Sequence, residues 1–167
     1  MRKPWNLPSY PVYSLITENS PSKNPQIGIF LESSQNMNVM TYIIPVSLSP
    51  KHYIIALYHD TRSLENWQST HKGVLQILGE QHSLLTRVLW KKSWKNYNKI
   101  GYLQKKWILW LNGMIEGIAW YIELTEIEKL SSHGWDHDLY LCWIVSSKSF
   151  HQKVLMTDRL IQDNIIL

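Results

Sequence analysis

The stretch from residue 36 to residue 50 limits the folds open to this chain more than any other segment. Polar Asn38, Thr41 and Ser47 are interleaved there with apolar residues, and prolines occupy positions 45 and 50. This pattern predicts a strand that packs one face into a core and offers amides, a hydroxyl and its backbone to a flat ligand on the other. Because proline has no backbone N–H, we expect an edge or a break of the sheet there.

Segments rich in β-branched and aromatic residues recur along the chain and predict further strands. They are residues 11–17, 27–31, 52–58, 74–78, 107–111, 115–124 and 139–145. Asn112-Gly113, between two of these segments, is typical of a hairpin turn. The sequence shows neither an internal repeat nor a regular alternation of strands and helices, so it indicates a β-barrel with helical additions.

Two short helices are predicted among these strands. The first follows Asp60 or Thr61 as its N-cap and ends at Gly73. Within it, the positions of Leu64, Trp67 and His71 have helical spacing. The second spans residues 80–92 and is amphipathic. Its apolar stripe consists of Leu84, Leu85, Val88 and Leu89. Gly101 and the polar residues before it predict a loop.

The composition is that of a folded protein of one domain. The 167 residues are 44% hydrophobic, and we expect one domain over residues 1–167, with a core at about 11–147 and a C-terminal extension at 148–167. No segment approaches the ~18 consecutive apolar residues of a membrane span. Prolines interrupt the N-terminal segment, which argues against a secretory signal. The single cysteine, Cys142, lies among apolar residues, so we expect a buried thiol and a cytoplasmic protein.

The net charge of +4 and the pI near 9.1 favour an anionic ligand. A phosphorylated cofactor meets this requirement, and so does nucleic acid. Residues 87–106 carry seven of the 17 Lys and Arg residues, interleaved with aromatic residues. That composition is typical of a platform for single-stranded nucleic acid, and also of a solvated helix followed by a basic loop. We favour the second interpretation.

The junction at residues 58–63 has the chemistry of an anion site. A phosphate group is bound by N–H groups at a helix start, by hydroxyl donors, and by a guanidinium that contacts two oxygens. Thr61, Arg62 and Ser63 supply these groups where a predicted strand passes into a predicted helix. The alternative is an ordinary helix cap with a solvated arginine.

A second polar group lies at residues 133–138, where two histidines and two aspartates fall within six residues. Imidazole and carboxylate suit several divalent metals. Gly134 argues against a helix that would align His133 with His137, and no further ligand cluster is evident, so we predict no metal site. The sequence also lacks a Gly-x-Gly-x-x-Gly fingerprint and a Gly-x-Ser-x-Gly elbow.

The chain contains, in this order, the runs NMNVMTYIIPVSLSPKHYIIALYHDTRSLEN, GVLQILGEQHSLLTRVLWKKSWKNYNK and DHDLYLCWIV. Their order and spacing resemble the flavin reductase-like family of FMN-binding split β-barrels, over roughly residues 11–145. The resemblance implies a mostly β fold with short helices (α+β), the FMN-binding split β-barrel. It also implies a homodimer with FMN near the subunit interface, and FAD is the alternative cofactor.

Site residues follow from the same resemblance. The slot for the isoalloxazine ring matches Asn38, Met40, Thr41, Tyr42 and Ile43. The site for the ribityl phosphate matches Tyr58, His59, Thr61, Arg62 and Ser63. Gln76 faces the ribityl chain or is a polar residue on a sheet face. His137 lies close to the flavin or to the incoming nicotinamide and orients it, or else is a loop histidine bonded to a neighbouring carboxylate. If Arg62 binds the phosphate, Arg62→Ala weakens FMN binding by ~1.5–3 kcal/mol.

The chain departs from the family pattern at several bulky residues. They are Tyr42, Trp90, Trp94 and Trp135, which stand where relatives commonly have small residues. Tyr42 either stacks on the ring or narrows the slot. The tryptophans fill space that is open in relatives, so they change access to the site or the contact between subunits.

The expected function is that of an FMN-binding oxidoreductase, in which NAD(P)H gives hydride to flavin and an acceptor protein or small molecule takes the electrons. Two alternatives keep the fold. One is a flavoprotein that stores or transfers electrons without its own NAD(P)H turnover. The other is a barrel that has lost flavin and serves as a binding module.

Overall fold

The computed structural model describes residues 9–19, 35–92, 97–106, 108, 114–130, 133–163 and 165. Within them the chain forms seven strands and four α-helices. The strands are β1 (Tyr13–Glu18), β2 (Gln35–Met40), β3 (Ile43–Leu48), β4 (Lys51–Tyr58), β5 (Lys72–Ile77), β6 (Trp120–Leu130) and β7 (His137–Ser149). The helices are α1 (Arg62–Thr70), α2 (Ser83–Lys91), α3 (Lys99–Lys105) and α4 (Thr157–Gln162). The strand predicted at 27–31, the Asn112-Gly113 turn and most of the strand predicted at 107–111 lie outside the described residues.

All seven strands belong to one antiparallel sheet in the order β2-β1-β5-β6-β7-β4-β3. The two edge strands, β2 and β3, are consecutive in the chain and only Thr41 and Tyr42 separate them. Residues so close in sequence stay within about 10 Å of one another. The sheet must therefore curl until its two edges meet, which makes it a barrel that is split between β2 and β3.

The stretch predicted as one strand over residues 36–50 is thus two strands. The alternation of polar and apolar residues continues across Thr41 and Tyr42 and does not show that the pairing partner changes there. Residues before this junction pair with β1, and residues after it pair with β4. The predicted edge is confirmed, because β3 is an edge strand and its register shifts between Pro45 and Ser47.

The sheet buries apolar residues on both of its faces. The interior of the barrel holds Trp67 of α1 together with Leu15, Ile55 and Tyr140 from the strands. A second cluster lies between the outer face and helices α2, α3 and α4. That cluster includes Ile16, Met37, Leu89, Ile100, Leu103, Leu155 and Leu160. The C-terminal segment therefore packs into the same core as the rest of the chain. Cys142 is fully buried in the barrel interior, as predicted, and burial raises the pKa of its thiol to about 12.

Helix α1 begins where the sequence places it, because Thr61 is its N-cap and accepts a hydrogen bond from the backbone N–H of Leu64. Its predicted end at Gly73 is wrong. The helix stops at Thr70, and His71 adopts a left-handed conformation with φ of 55° and donates its N–H to the Trp67 carbonyl. Gly73 lies within β5, where a Cβ would come within 3.0 Å of the Ile16 carbonyl oxygen.

Two further predictions of local structure are wrong. Leu84 does not belong to the buried stripe of α2, since it is 71% exposed while Leu85 and Leu89 are buried. Residues around Gly101 form helix α3 instead of a loop. The helix starts because the Asn98 side chain accepts a hydrogen bond from the Gly101 N–H, and its apolar residues pack inward. None of the helices in the described part of the chain is long and apolar enough to cross a membrane.

Candidate functional site

A cleft of about 530 Å³ opens at the split between the two edges of the sheet. Its walls come from the β2–β3 junction, the end of β4, the turn before α1, the end of α2 and the start of α3. The volume lies within the range of pockets for small molecules and cofactors, about 300–1,000 Å³. Three lysines, one aspartate and one histidine line the cleft, so its charge favours an anionic ligand.

The turn between β4 and α1 forms one end of the cleft. Asp60 takes a left-handed conformation with φ of 56°, which aspartate tolerates better than most residues. The Thr61 hydroxyl donates to the Tyr58 carbonyl oxygen at 2.8 Å and accepts from the Leu64 N–H at 3.2 Å. Both hydrogen bonds are local, so this hydroxyl group serves to hold the turn and cap the helix.

Ser63, the second residue of α1, is placed by a residue of β2. The Asn36 side-chain amide donates to the Ser63 Oγ at 2.9 Å, and both side chains are buried. A hydroxyl group is one donor and two acceptors. Since Asn36 uses an acceptor position, the Ser63 proton can be donated to a ligand in the cleft, which Ser63 lines.

Lys99 reaches the cleft from α3, and only 5% of it is exposed. Its Nζ donates to the Asn38 Oδ1 at 2.5 Å and to the Leu89 carbonyl oxygen at 2.7 Å. Burial lowers the pKa of its ammonium group to about 8. Both acceptors are neutral, and no carboxylate in the described part of the chain forms an ion pair with this lysine.

The opposite side of the cleft carries aromatic rings around His137. The Tyr42 and Tyr58 rings contact its imidazole edge-on, at centroid distances of 5.4 and 5.1 Å. The His137 Nδ1 lies 2.6 Å from the Asp136 Oδ1. This hydrogen bond lowers the pKa of the Asp136 carboxyl group. The contacts hold the imidazole in place at the wall of the cleft.

A second polar network lies behind His137. The Asp138 Oδ2 accepts a hydrogen bond from the Lys129 Nζ at 2.6 Å, and the Asp138 Oδ1 lies 3.2 Å from the His59 Nε2. Burial alone would raise the pKa of the Asp138 carboxyl group, but the hydrogen bonds from Lys129 and His59 give a net lowering. The network joins the end of β4 to β7.

Most of the residues predicted for the site line this one cleft. They are Asn38, Met40, Thr41, Tyr42, Tyr58, Thr61, Ser63 and His137. Four others lie elsewhere, namely Ile43, His59, Arg62 and Gln76. Ile43 belongs to the barrel core, His59 contacts Asp138, and Gln76 is fully buried and accepts the Ile115 N–H at 2.8 Å. The Arg62 guanidinium contacts the Glu65 carboxylate at 3.0 Å, one turn along α1.

The bulky residues that depart from the family pattern do not share one place. Tyr42 and Trp90 line the cleft, and Trp90 is 47% exposed at its wall. Trp135 is also exposed but does not line the cleft. Trp94 lies outside the described residues. Tyr42 and Trp90 therefore shape the cleft directly, and Trp135 does not.

Sequence reasoning missed the residues that α2 and α3 bring to the cleft. Lys91, Lys92 and Lys99 were part of a basic stretch that predicted a solvated helix and loop. The signal for α3 was Asn98 as an N-cap before Ile100 and Leu103 at helical spacing. Gly101 obscured that signal, because glycine is a poor residue for a helix interior. In the part of the chain that the structure describes, no three His, Cys, Asp or Glu residues are grouped to hold a metal.

No family model and no curated protein sequence matches the chain. Solved structures do match it. The NADH:FAD oxidoreductase of Streptomyces globisporus has a TM-score of 0.69 at 12% identity, over 89% of this chain and 81% of that chain. The flavin reductase of styrene monooxygenase from Pseudomonas putida has a TM-score of 0.66 at 14% identity, over 92% and 89% of the two chains. Flavoredoxin from Methanosarcina acetivorans has a TM-score of 0.64 at 14% identity, over 88% and 72%.

The match to these structures extends over most of the chain. The similarity predicted from the sequence is therefore confirmed at the level of the fold. The chain has the FMN-binding split-barrel fold of the flavin reductase-like proteins.

Proposed function

We propose that the protein is an FMN-binding oxidoreductase of the flavin reductase kind, which takes hydride from NAD(P)H and passes electrons to an acceptor. The observation that carries this proposal is the cleft, because it brings together eight of the residues predicted for flavin binding from a resemblance in sequence. Its volume of about 530 Å³ and its excess of lysines suit a flat, phosphorylated cofactor.

The residues of the β2–β3 junction suit the ring of the cofactor. Met40 ends β2, Thr41 follows it, and the exposed Tyr42 offers an aromatic face to a stacked ring. The Asn38 side chain is held at the wall of the cleft by the hydrogen bond that it accepts from Lys99. At the junction β2 pairs only with β1, so the backbone groups along its other edge are not taken by a strand of the described sheet.

The flavin, when bound, supplies the hydride and electron chemistry. The chain's own residues bind it, orient it and exclude water. His137 is fixed by Tyr42, Tyr58 and Asp136, so it orients a ligand at the open side of the cleft. It is a positioning residue in this proposal and takes no part in covalent chemistry.

The test of the proposal has two steps. Purified protein is incubated with FMN or FAD, the excess is removed, and the visible absorption spectrum is recorded. Flavin bands that stay with the protein support the site, and their absence contradicts the proposal and favours a flavin-free binding module. Steady-state oxidation of NADH and NADPH with added flavin then separates a reductase from a flavoprotein that stores or transfers electrons.

We also propose that the protein forms a homodimer. Apolar residues of the edge strand β3 and of β7, which lies two strands away across β4, are exposed, and Leu48 is 89% exposed. The others are Ile44, Val46, Trp143 and Val145. An exposed apolar edge strand favours association. Light scattering of the protein and of Leu48→Glu tests this, with a dimer expected for the first and a monomer for the second. A cytoplasmic location stays a prediction.

A further inference from the structure

The cleft contains one buried charge, that of Lys99. The resemblance to flavin-binding proteins gave this lysine no role in the site. Lys91, Lys92 and Asp60 are exposed at the cleft, so water solvates their charges. Lys99 is 5% exposed, and its charge has lost most of its water. Taking an ammonium group out of water is costly unless an opposite charge or several acceptors replace the water.

The described residues of the protein give Lys99 only part of that replacement. An ammonium group has three N–H donors, and two of them bind the Asn38 Oδ1 and the Leu89 carbonyl oxygen. Both acceptors are uncharged. Burial lowers the pKa of Lys99 to about 8, and the group is therefore still protonated at neutral pH. The cleft thus contains a buried positive charge with a donor left for a ligand.

Lys99 and Ser63 are each bonded to an asparagine side chain of β2. Side chains two apart on a strand point to the same face, and they are about 7 Å apart along it. Asn36 binds Ser63, and Asn38 binds Lys99. One phosphate group that accepts a hydrogen bond of about 2.8 Å on each side spans a distance of this size.

We propose that Lys99 and Ser63 together form the subsite for the phosphate group of the flavin, with Asn36 and Asn38 of β2 holding both donors. The assignment rests on the proposed function. Thr61 is not part of the subsite, since its proton is donated to the Tyr58 carbonyl oxygen. Arg62 is not its main cation, since its guanidinium contacts Glu65 and lies outside the cleft lining.

Paired titrations with FMN and riboflavin test the assignment, because the two ligands differ only in the phosphate group. Lys99→Met is expected to weaken FMN binding about tenfold or more, the effect of losing one charge-assisted hydrogen bond. Its affinity for riboflavin is expected to stay within about twofold of wild type. Lys99→Gln keeps a donor for Asn38 and removes only the charge, so it provides a second test if the methionine variant folds poorly. Lys105→Met is the matched control, since it removes an exposed lysine from the same helix.

Equal losses for FMN and riboflavin in both Lys99 variants would assign the lysine to the ring and overturn the phosphate subsite. Unchanged FMN binding would overturn it as well. Ser63→Ala gives a further check, with a smaller loss expected for FMN and none for riboflavin.

A third measurement separates this inference from the proposed function. Inorganic phosphate is expected to raise the melting temperature of wild type relative to chloride at equal ionic strength, and to leave that of Lys99→Met unchanged. If the protein binds no flavin and phosphate still stabilises it through Lys99, the proposed function fails and the anion subsite stands. If flavin binds normally to the Lys99 variants, the subsite fails and the proposed function stands.

Discussion

The start of α1 and the start of α3 both border the cleft and both carry a cation, but only the cation of α3 lines the cleft. Arg62 stands beside hydroxyl residues at a helix start and contacts the carboxylate of Glu65 in the next turn. Lys99 is buried, contacts only neutral oxygens among the described residues, and lines the cleft. An arginine that already forms an exposed ion pair is stabilised little further by an anionic ligand. A buried charge without an ionic partner is stabilised strongly by an anion that binds beside it.

The largest effect expected from this difference is on stability at alkaline pH. The pKa of Lys99 is about 8 in the folded protein, against about 10.4 for a lysine in an unfolded chain. Between these values the unfolded state binds more protons, so stability rises with pH there, by roughly 3 kcal/mol in total. Lys99→Met is expected to lose this rise. Urea unfolding of both proteins at pH 8 and pH 10 measures it, and parallel curves would contradict a buried charge.

Flavin affinity itself is expected to fall above pH 8. An anion binds protonated Lys99, so affinity falls by a factor that approaches about tenfold per pH unit once the free protein loses that proton. Other groups that titrate face the cleft and the helix. They are Tyr42, Tyr58, Asp60, Lys91, Lys92, Tyr102 and His137. Titrations of Lys99→Gln across the same range isolate the lysine, and an equal fall in this variant would assign the effect to the other groups.

Thr61→Ala tests the other side of the comparison. Losing a threonine N-cap costs about 1 kcal/mol of stability, and both hydrogen bonds of this hydroxyl are local. We expect a lower urea midpoint, with FMN affinity per folded molecule unchanged. A selective loss of FMN over riboflavin would instead place the Thr61 hydroxyl on the phosphate.

Arg62→Ala is expected to have the smallest effect on binding, below about 1 kcal/mol, because the guanidinium already has a carboxylate partner at the surface of α1. Fluorescence titration with FMN measures it, and Glu65→Ala is the matched control. A loss as large as that of Lys99→Met would return the main phosphate contact to Arg62.

The sequence predicted the elements that local chemistry determines. The β4–α1 junction, with its strand, its Thr61 cap and its hydroxyl residues, came out as expected. Resemblance to a family added residues of β2 that line the cleft, including Asn38 and Met40. These residues are close in sequence and share one local structure, so a pattern of a few residues is enough to identify them.

The rest of the site depends on contacts between distant segments. Lys99 reaches Asn38 across 61 positions of the chain. Nothing near Lys99 in the sequence indicates that its ammonium group would be buried beside β2. The change of partner at Thr41 and Tyr42 is likewise a property of the sheet, because it depends on which strands lie on either side. For Gln76 the resemblance left two places open, the ribityl chain or a sheet face, and the structure buries it with its side chain accepting the Ile115 N–H.

Hydrogen–deuterium exchange of the wild-type protein with and without FMN tests most directly whether this cleft is the flavin site. The account predicts slower exchange of backbone amides in residues 36–42, 58–64 and 97–101, which meet at the cleft, and little change in the distant strand β6. Protection confined to other segments, or no protection at saturating FMN, would contradict it.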